Sequence, residues 1–295
     1  MAGHTTFKAG GPVACYIEAD DEKELEYILR VLKENNEKYF ILGNGSNLLV
    51  SDKGYDGFVI KLSGNLSAVS INPDPELSED DPCKDEYFTV RAKAGASLIS
   101  VAVKSAEASL TGLEFASGIP GSIGGAMVMN AGAYGGEMKD VVRSVTLLDT
   151  DTFMTVQRSA GEMEFKYRDS IVKHSGLIVL EAEFWLKKGD PATIKSRIEE
   201  LKQKRIEKQP LEYPSAGSTF KRPEGYFAGK LIEDSGLKGY SVGGAMVSDK
   251  HCGFVINKGG ATASDIMTLI KDVQRIVKEK QGVMLEPEVI LLGEF

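Results

Sequence analysis

The chain has 295 residues, of which 42% are hydrophobic and 26% are charged, a composition typical of a soluble globular protein with room for two domains. Its formal net charge of −8 argues against a general nucleic-acid role, because such a role needs a basic face. No apolar run approaches the roughly 18 residues that span a bilayer, and three widely spaced cysteines suit a reducing compartment, so we expect a cytoplasmic protein without a metal, membrane or nucleic-acid partner.

The chain opens with a predicted βαβ-type unit. Residues 13–18 (VACYIE) are predicted to form a strand. The apolar residues of 22–36 recur at helical spacing behind an aspartate cap at 20–21, which predicts a helix. Two further strands are predicted at 38–43 (KYFILG) and 57–62 (GFVIKL).

The middle of the chain is predicted to be rich in strands. An acidic, proline-bearing stretch at 72–86 is typical of a solvated hairpin loop, and we interpret it as a surface insertion. A strand at 87–95 and a helix at 97–109 follow it. Two longer strands are predicted at 141–150 and 177–188.

The last third of the chain changes character. Pro191 opens a charged helix that continues through 192–209, and beyond it we predict a helix at 263–280 and a strand at 283–292. Because the strand-rich pattern stops near 189–190, we place a domain boundary there. The predicted α+β chain therefore has domains at 1–189 and 190–295.

Glycine is concentrated in residues 116–137 (ASGIPGSIGGAMVMNAGAYGGE), seven of them between Ser117 and Gly136. Glycine costs stability in an ordered segment unless a left-handed turn or a close backbone approach requires it. A GxxGxxGG spacing that includes one proline is formed by Gly118, Pro120, Gly121, Gly124 and Gly125. Backbone amides freed by this spacing could bind a pyrophosphate, and close packing of two strands is the alternative.

A second glycine site lies at 42–50 (LGNGSNLLV), between two strand-like runs. It is not a Rossmann fingerprint, because Leu48 takes the place of the third glycine and no helix follows. Side-chain donors beside successive backbone amides are typical of an anion-binding nest, here Gly43, Asn44, Gly45, Ser46 and Asn47. A tight hairpin turn is the alternative. Together the two glycine sites suggest two walls around one dinucleotide-like ligand.

Three further stretches carry reactive groups: 167–170 (YRDS), 214–223 (PSAGSTFKRP) and 285–289 (LEPEV). The third places Glu286 and Glu288 two residues apart, so both would face one side of a strand. The alternatives are a salt-bridged turn for the first, a helix or turn cap for the second and a solvated edge strand for the third.

One histidine is a candidate reactive group. His251, beside Cys252, is predicted to be a hydrogen-bonded structural residue rather than a metal ligand. A Ser-His-Asp hydrolase stays open as a class, but the chain has no GxSxG elbow.

Taken together and in this order, these stretches resemble one family, UDP-N-acetylenolpyruvoylglucosamine reductase, the flavoenzyme of cytoplasmic peptidoglycan-precursor synthesis. The likeness covers nearly the whole chain, through HTTFKAGGP, LGNGSNLLV, the glycine-rich segment, YRDS, PSAGSTFKRP, GGAMVSDKHCGFVIN and LEPEV. It implies an FAD-binding domain of the vanillyl-alcohol-oxidase (PCMH) type in two α+β subdomains, at about 1–62 and 63–189, followed by a smaller substrate domain. The interval between Ser170 and Ser218 holds one strand and one helix, which implies the shorter subtype without a tyrosine loop.

The resemblance also implies the cofactors. FAD would be held noncovalently, and NADPH would be the hydride donor in a two-step relay to C3 of the enolpyruvyl ether, which yields UDP-N-acetylmuramate. The implied FAD contacts are Gly43, Asn44, Gly45, Ser46, Asn47, Ser117, Gly118, Pro120, Gly121, Ser122, Gly124, Gly125, Asn130 and Gly132. We expect a monomer whose partners are NADPH and the UDP-sugar.

The same resemblance implies the residues that carry the chemistry. Arg168 would bind the substrate carboxylate, where charge develops, because its guanidinium is always cationic and can bind a carboxylate bidentately. Glu288 would assist at the same centre, with Glu286 as the fallback, and Ser218 would be the proton donor. The implied substrate contacts are Lys208, Lys221, Arg222 and Tyr167, with Lys208 and Arg222 at the diphosphate.

Two functions from other classes stay open at this point. One is a related flavin-dependent oxidoreductase with another substrate, and the other is a noncatalytic nucleotide-binding module. A yellow flavin released from purified protein by heat would favour an enzyme over the binding module.

Overall fold

The computed structural model describes residues 1–78 and 80–295. They divide into two compact units, and neither is a continuous stretch of chain. The first unit comprises Met1–Cys15, Asn44–Phe58 and Arg205–Phe295, and the second comprises Tyr16–Gly43 and Val59–Lys204. None of the described helices is long and apolar enough to cross a membrane.

Strands and helices alternate along the described chain. The strands are β1 Val13–Ala19, β2 Tyr39–Leu42, β3 Leu48–Val50, β4 Tyr55–Leu62, β5 Val69–Pro73, β6 Tyr87–Lys93, β7 Leu110–Thr111, β8 Gly132–Ala133, β9 Gly136–Glu137, β10 Val142–Asp149, β11 Thr155–Ser159, β12 Leu177–Lys188, β13 Ser241–Val242, β14 Ala245–Val247, β15 Val255–Asn257 and β16 Ile290–Leu292. The helices are α1 Glu22–Glu34, α2 Leu98–Glu107, α3 Ile123–Val128, α4 Pro191–Lys208, α5 Ala228–Asp234 and α6 Ala263–Gln281. The predicted α+β class is confirmed.

The opening unit follows its sequence pattern closely. The Asp21 carboxylate caps α1 by accepting the Glu24 amide, and Leu25, Leu29 and Leu32 form the buried stripe of the helix. Strands β1, β4 and β2 form a three-stranded sheet in that order. The strands and the helix predicted before residue 63 are therefore confirmed.

The large sheet of the second unit is antiparallel, with the order β11-β10-β12-β6-β5 and with β7 also paired to β12. Ala182, in the middle of β12, lies opposite Val145 on one side and Ala92 on the other. All three are fully buried, which marks the face of the sheet that packs on the core. The strands predicted at 87–95, 141–150 and 177–188 are confirmed.

The acidic stretch at 72–86 does connect a hairpin, since β5 and β6 pair antiparallel. The prediction that the whole stretch is solvated is wrong for Asp74, which is buried. The Arg143 guanidinium donates to both Asp74 carboxylate oxygens, at 2.8 and 2.7 Å, and the Trp185 indole donates at 2.6 Å. These hydrogen bonds lower the pKa of Asp74 to about 2, and the bond from Arg143 has the largest effect. Glu79 of this stretch lies outside the described residues.

The core of the first unit is built on α6. The helix begins with a capping box between Thr262 and Asp265 and ends at Gly282, whose φ of +72° is the left-handed conformation that glycine favours. Its buried stripe comprises Ile266, Leu269, Ile270, Val273 and Val277. Strands β13, β14 and β15 form a small antiparallel sheet in the same unit.

The strand predicted at 283–292 is mostly wrong, because β16 begins only at Ile290. Pro287 lacks an amide N–H and cannot continue a ladder; it forms only an isolated antiparallel bridge with Phe220. Glu286 and Glu288 thus flank a bridge and do not lie in a regular strand.

The compact units do not follow the division at 189–190. Residues 44–58 group with the C-terminal residues because β3 pairs in parallel with β16, Leu48 opposite Ile290. Residues 1–15 join the same unit, where the Asn257 side chain donates to the Phe7 carbonyl at 2.9 Å. The predicted domains describe which part of the chain binds which ligand, and they stay a prediction.

Candidate active site

Part of the glycine-rich segment is a short helix that the sequence did not predict. Ser122 caps α3, its hydroxyl accepting the Gly125 amide at 3.3 Å. Gly118, Gly121, Gly124 and Gly125 all lack a positive φ, so left-handed turns do not explain them. Close approach explains Gly124, because a Cβ there would lie 3.2 Å from the Ala94 side chain.

The amides of this segment are mostly used inside the protein. Those of Gly121, Ile123 and Gly124 donate to chain carbonyls at 2.8–2.9 Å. The expectation that the whole glycine spacing frees amides for a pyrophosphate is therefore wrong, because the segment is bonded to residues 94–98 and to Ile119. Among the described residues, the amides of Gly118 and Ser122 have no hydrogen-bond partner.

Gly125 differs from its neighbour. It is exposed, and a Cβ at this position would meet only the Ser122 hydroxyl, at 3.5 Å. The glycine therefore leaves a bare stretch of backbone open to whatever binds beside it.

Gly43 lies against this segment within the second unit, as the two-wall interpretation expects. A Cβ at Gly43 would lie 2.7 Å from the Ser122 hydroxyl. The Lys61 ammonium donates to the Gly43 carbonyl at 2.6 Å, and burial lowers the pKa of Lys61. Sequence reasoning missed Lys61, although a lysine inside the apolar run GFVIKL was a signal.

The rest of the GNGSN loop belongs to the first unit. Gly45 has φ +62°, and a Cβ there would collide with the His4 carbonyl, so glycine is required. In the part of the chain that the structure describes, the amides of Gly45, Ser46 and Asn47 have no hydrogen-bond partner. Successive unpartnered amides around a left-handed residue form an anion-binding nest.

The hairpin alternative for this loop is wrong. Strand β2 before the loop and β3 after it lie in different sheets. The Asn47 side chain instead donates to the Glu288 carbonyl at 3.0 Å. The nest and the LEPEV stretch are therefore neighbours within the first unit.

Ser218 is linked to Glu288 through Thr219, which follows Ser218 in the chain and is hydrogen-bonded to Glu288. Thr219 is fully buried, its carbonyl accepts the Glu288 amide at 2.8 Å, and its own amide donates to the Gly253 carbonyl at 2.8 Å. The turn before Ser218 depends on Gly217, whose φ is +74°. Among the described residues, the Ser218 hydroxyl makes one long hydrogen-bond contact, 3.4 Å, with the Phe220 carbonyl.

His251 adjoins the same place. A Cβ at Gly253 would lie 2.9 Å from the His251 ring and 3.5 Å from the Ser218 hydroxyl. The ring accepts the Gly253 amide at Nδ1 and packs edge-on against Phe254, and burial, followed by the charge of Lys208, lowers its pKa. Its hydrogen-bonded structural role agrees with the prediction.

The predicted cations of the first unit have different surroundings. Lys221 forms an ion pair with Glu286, which uses the carboxylate that was the fallback for Glu288. The Arg222 guanidinium lies 4.0 Å from the centre of the Phe227 ring, a partner the sequence did not indicate. Lys208 is exposed at the end of α4.

Arg168 lies in the second unit, in the turn predicted as an alternative for YRDS. Lys166 and Asp169 close this turn with backbone bonds of 3.0 and 3.2 Å. Arg168 has φ +57°, and its guanidinium lies 5.1 Å from the Tyr167 ring. The Asp169 carboxylate lies 2.7 Å from Nε2 of the His174 ring, and this contact is a salt bridge only when the ring is protonated.

Asn130 and Gly132 have structural roles in the second unit. Asn130 is fully buried, so its side chain presents no surface to a cofactor. At Gly132, a Cβ would lie 2.7 Å from the Gly136 carbonyl of the facing strand, so the hairpin requires glycine there. Among the described residues, no cluster of histidine, cysteine and carboxylate side chains could hold a metal ion.

Comparisons with known proteins agree with this arrangement. Residues 13–154 match the family model of an FAD binding domain, and residues 209–292 match the C-terminal domain of UDP-N-acetylenolpyruvoylglucosamine reductase. The reductase of Agathobacter rectalis is 55% identical over 100% of this chain and 93% of its own, and that of Caldanaerobacter subterraneus is 51% identical over 100% and 92%. The crystal structure of the Thermus caldophilus reductase matches with a TM-score of 0.80 and 33% identity, over 99% of this chain and 97% of that one. The chain therefore belongs to the UDP-N-acetylenolpyruvoylglucosamine reductase family of FAD-dependent oxidoreductases.

Proposed function

We propose that this chain reduces UDP-N-acetylenolpyruvoylglucosamine to UDP-N-acetylmuramate with NADPH, in the cytoplasm and as a monomer. The observation that carries the proposal is the backbone hydrogen bond from Glu288 to Thr219, the residue after Ser218, in a chain related to this family over its whole length. Within this proposal, residues 1–189 bind FAD and residues 190–295 bind the substrate.

Bound FAD supplies hydride transfer from NADPH to the double bond of the substrate. The nest amides of Gly45, Ser46 and Asn47 are suited to bind a phosphate, because no group among the described residues accepts a hydrogen bond from them. The bare backbone at Gly125 fits a ligand surface that a side chain would block. The further residues assigned to FAD are Gly43, Asn44, Ser117, Gly118, Pro120, Gly121, Ser122, Gly124 and Gly132.

Arg168 stabilises negative charge on the substrate carboxylate as it develops. Its guanidinium is planar and always cationic, so it can donate two parallel hydrogen bonds to a carboxylate. Tyr167, whose ring lies 5.1 Å from the guanidinium, contacts the substrate beside it.

Ser218 donates the proton that C2 of the enolpyruvyl group takes up. A hydroxyl is a weak acid, but the carbanion formed at C2 is a strong base. The Ser218 hydroxyl is suited to this because its contact inside the protein is long, 3.4 Å. Glu288 hydrogen-bonds the same centre and assists protonation.

Lys208 and Arg222 bind the diphosphate of the substrate, and Lys221 is a further substrate contact. They provide local positive charge on a chain whose net charge is −8. Glu286 holds the Lys221 ammonium, so we assign catalysis to Glu288 and not to Glu286.

The test is to purify the protein and release its cofactor by heat. A yellow FAD spectrum, with NADPH oxidation that depends on UDP-N-acetylenolpyruvoylglucosamine, is the expected result. A colourless protein would favour the nucleotide-binding module, and flavin reduction without any effect of the UDP-sugar would favour another substrate.

A further inference from the structure

The buried Asn130 side chain is hydrogen-bonded to other residues of its own chain. Its Nδ2 donates to a Glu137 carboxylate oxygen at 2.9 Å and to the Lys166 carbonyl at 3.1 Å. Its Oδ1 accepts the Lys139 amide at 3.0 Å. An asparagine amide has two N–H donors, so both are used. Asn130 also has φ +41°, a conformation that asparagine tolerates better than most residues.

The bond to Lys166 reaches across 36 residues to the YRDS turn. Lys166 and Asp169 close that turn, and Arg168 between them has φ +57°. A left-handed arginine is sparsely populated and persists only where the surrounding structure holds it. The Asn130 amide therefore fixes one end of the turn that carries Arg168.

The same segment also contacts the guanidinium. Arg168 Nη2 donates to the Gly132 carbonyl at 3.3 Å, two residues beyond Asn130. Lys139 lowers the pKa of Glu137 by hydrogen bonding, and the Asn130 bond and the Arg168 charge add to this effect. Residues 130–139 thus hold both the backbone and the charged end of Arg168.

We propose that Asn130 is a positioning residue for Arg168, an inference that rests on the proposed role of Arg168 at the substrate carboxylate. The side chain is fully buried, so it acts through the turn and touches neither FAD nor substrate. Its loss would let the guanidinium move away from the carboxylate, and small misplacements of a charged partner are costly to a reaction.

Asn130→Gly removes the amide and keeps the left-handed backbone, which glycine adopts freely. FAD content and bleaching of the flavin by NADPH should stay within about twofold of wild type. Reoxidation of the flavin by the UDP-sugar should slow by about tenfold, roughly the effect on a reaction barrier of losing one hydrogen bond. The fall should appear in kcat more than in KM.

A double-mutant cycle with Arg168→Lys separates positioning from a general structural role. If Asn130 acts only through Arg168, the double variant should be no slower than Arg168→Lys alone. Additive losses in the second half-reaction would overturn the proposal.

A second variant tests the proposal in case Asn130→Gly does not fold. Asn130→Asp combined with Glu137→Gln reverses donor and acceptor in the bond between residues 130 and 137 and breaks the bond to Lys166. Glu137→Gln alone is the control for the ion pair with Lys139 that this combination also removes. The apoprotein of the double variant should melt near the temperature of that control and still show the selective loss. The matched control is Gln157→Ala, which removes another amide side chain of the second unit, bonded to Ser144 at 2.9 Å, and should leave both half-reactions unchanged.

Loss of FAD from either Asn130 variant would place Asn130 in the cofactor site and overturn the inference. Normal reoxidation in both variants, with slow reoxidation in Arg168→Lys, would overturn it as well. Normal reoxidation in Arg168→Lys itself would refute the proposed role of Arg168 on which the inference depends.

Discussion

At the scale of single residues, the Ser218 hydroxyl is the group whose removal separates chemistry from binding. Ser218→Ala should leave the fold and the bleaching of FAD by NADPH unchanged. Reoxidation by the UDP-sugar should slow by about 10²–10⁴, the usual effect of losing a positioned general acid, which corresponds to roughly 3–5 kcal/mol of barrier. Stopped-flow absorbance measures both half-reactions.

The control for this experiment is Ser215→Ala, a serine three residues earlier on the other side of Gly217. We expect both half-reactions of this variant to run at wild-type rates. Reoxidation of Ser218→Ala within a few-fold of wild type would show that Ser218 is a turn residue only.

Two adjacent glycines make a second test at this scale. Gly125→Val adds a side chain to open space, so the apoprotein should melt within a few degrees of wild type but should be purified without FAD. Gly124→Val places a side chain against Ala94. It should lower the melting temperature itself, because extra side-chain volume in a packed interior is destabilising. Gly125→Val protein that retains tightly bound FAD would contradict the proposed cofactor contact.

At the scale of elements, the hairpin between β5 and β6 is held by a buried ion pair whose contribution depends on pH. The pKa of Asp74 is about 2 in the folded protein, below its value of about 3.9 in an unfolded chain. The folded state therefore gains about 2.6 kcal/mol, which is fully present above about pH 5 and is lost progressively as the pH falls through 2.

Urea unfolding of wild type and Asp74→Asn at pH 7 and pH 3 checks this. The variant should be less stable at pH 7 by about 2 kcal/mol or more, since it removes the buried carboxylate to which Arg143 donates two hydrogen bonds, and the difference should shrink at pH 3. Asp56→Asn, an exposed aspartate, is the control. A difference that does not change with pH would refute the assignment.

Helix α6 offers a test of capping in the first unit. The Thr262 hydroxyl accepts the Asp265 amide at 3.0 Å, and Thr262→Ala should lower the free energy of unfolding by about 1 kcal/mol. Thr268→Ala, exposed in the middle of the same helix, should be neutral or slightly stabilising because alanine is the better helix former. Equal effects of the two variants in urea unfolding would exclude the cap as the cause.

At the scale of the whole molecule, the sequence predicted best the elements with long periodic patterns. α1, β12 and α6 appear within a few residues of their predicted bounds, because capping residues and apolar periodicity specify them locally. α3 was missed because its two glycines disfavour a helix, and it is held by bonds to the Ala94 and Ala96 carbonyls.

The candidate site was predictable in its residue types but not in its connections. Motifs indicated Ser218 and Glu288, yet their common neighbour Thr219 carries no sequence signal. Asn130 was assigned to the cofactor because it lies in the glycine-rich segment, whereas its bond to Lys166 spans 36 residues and appears only in the folded chain.

The pairing of β3 with β16 has a consequence for the order in which the protein folds. Leu48 faces Ile290, so the strands of this pair are made near opposite ends of synthesis, and closing so long a loop is slow. Residues 1–15 and 44–58 must wait on the ribosome for partners from 205–295, while the second unit is complete once Lys204 has emerged. Pulse-labelling hydrogen exchange during refolding should therefore protect the amides of β12 before those of β3.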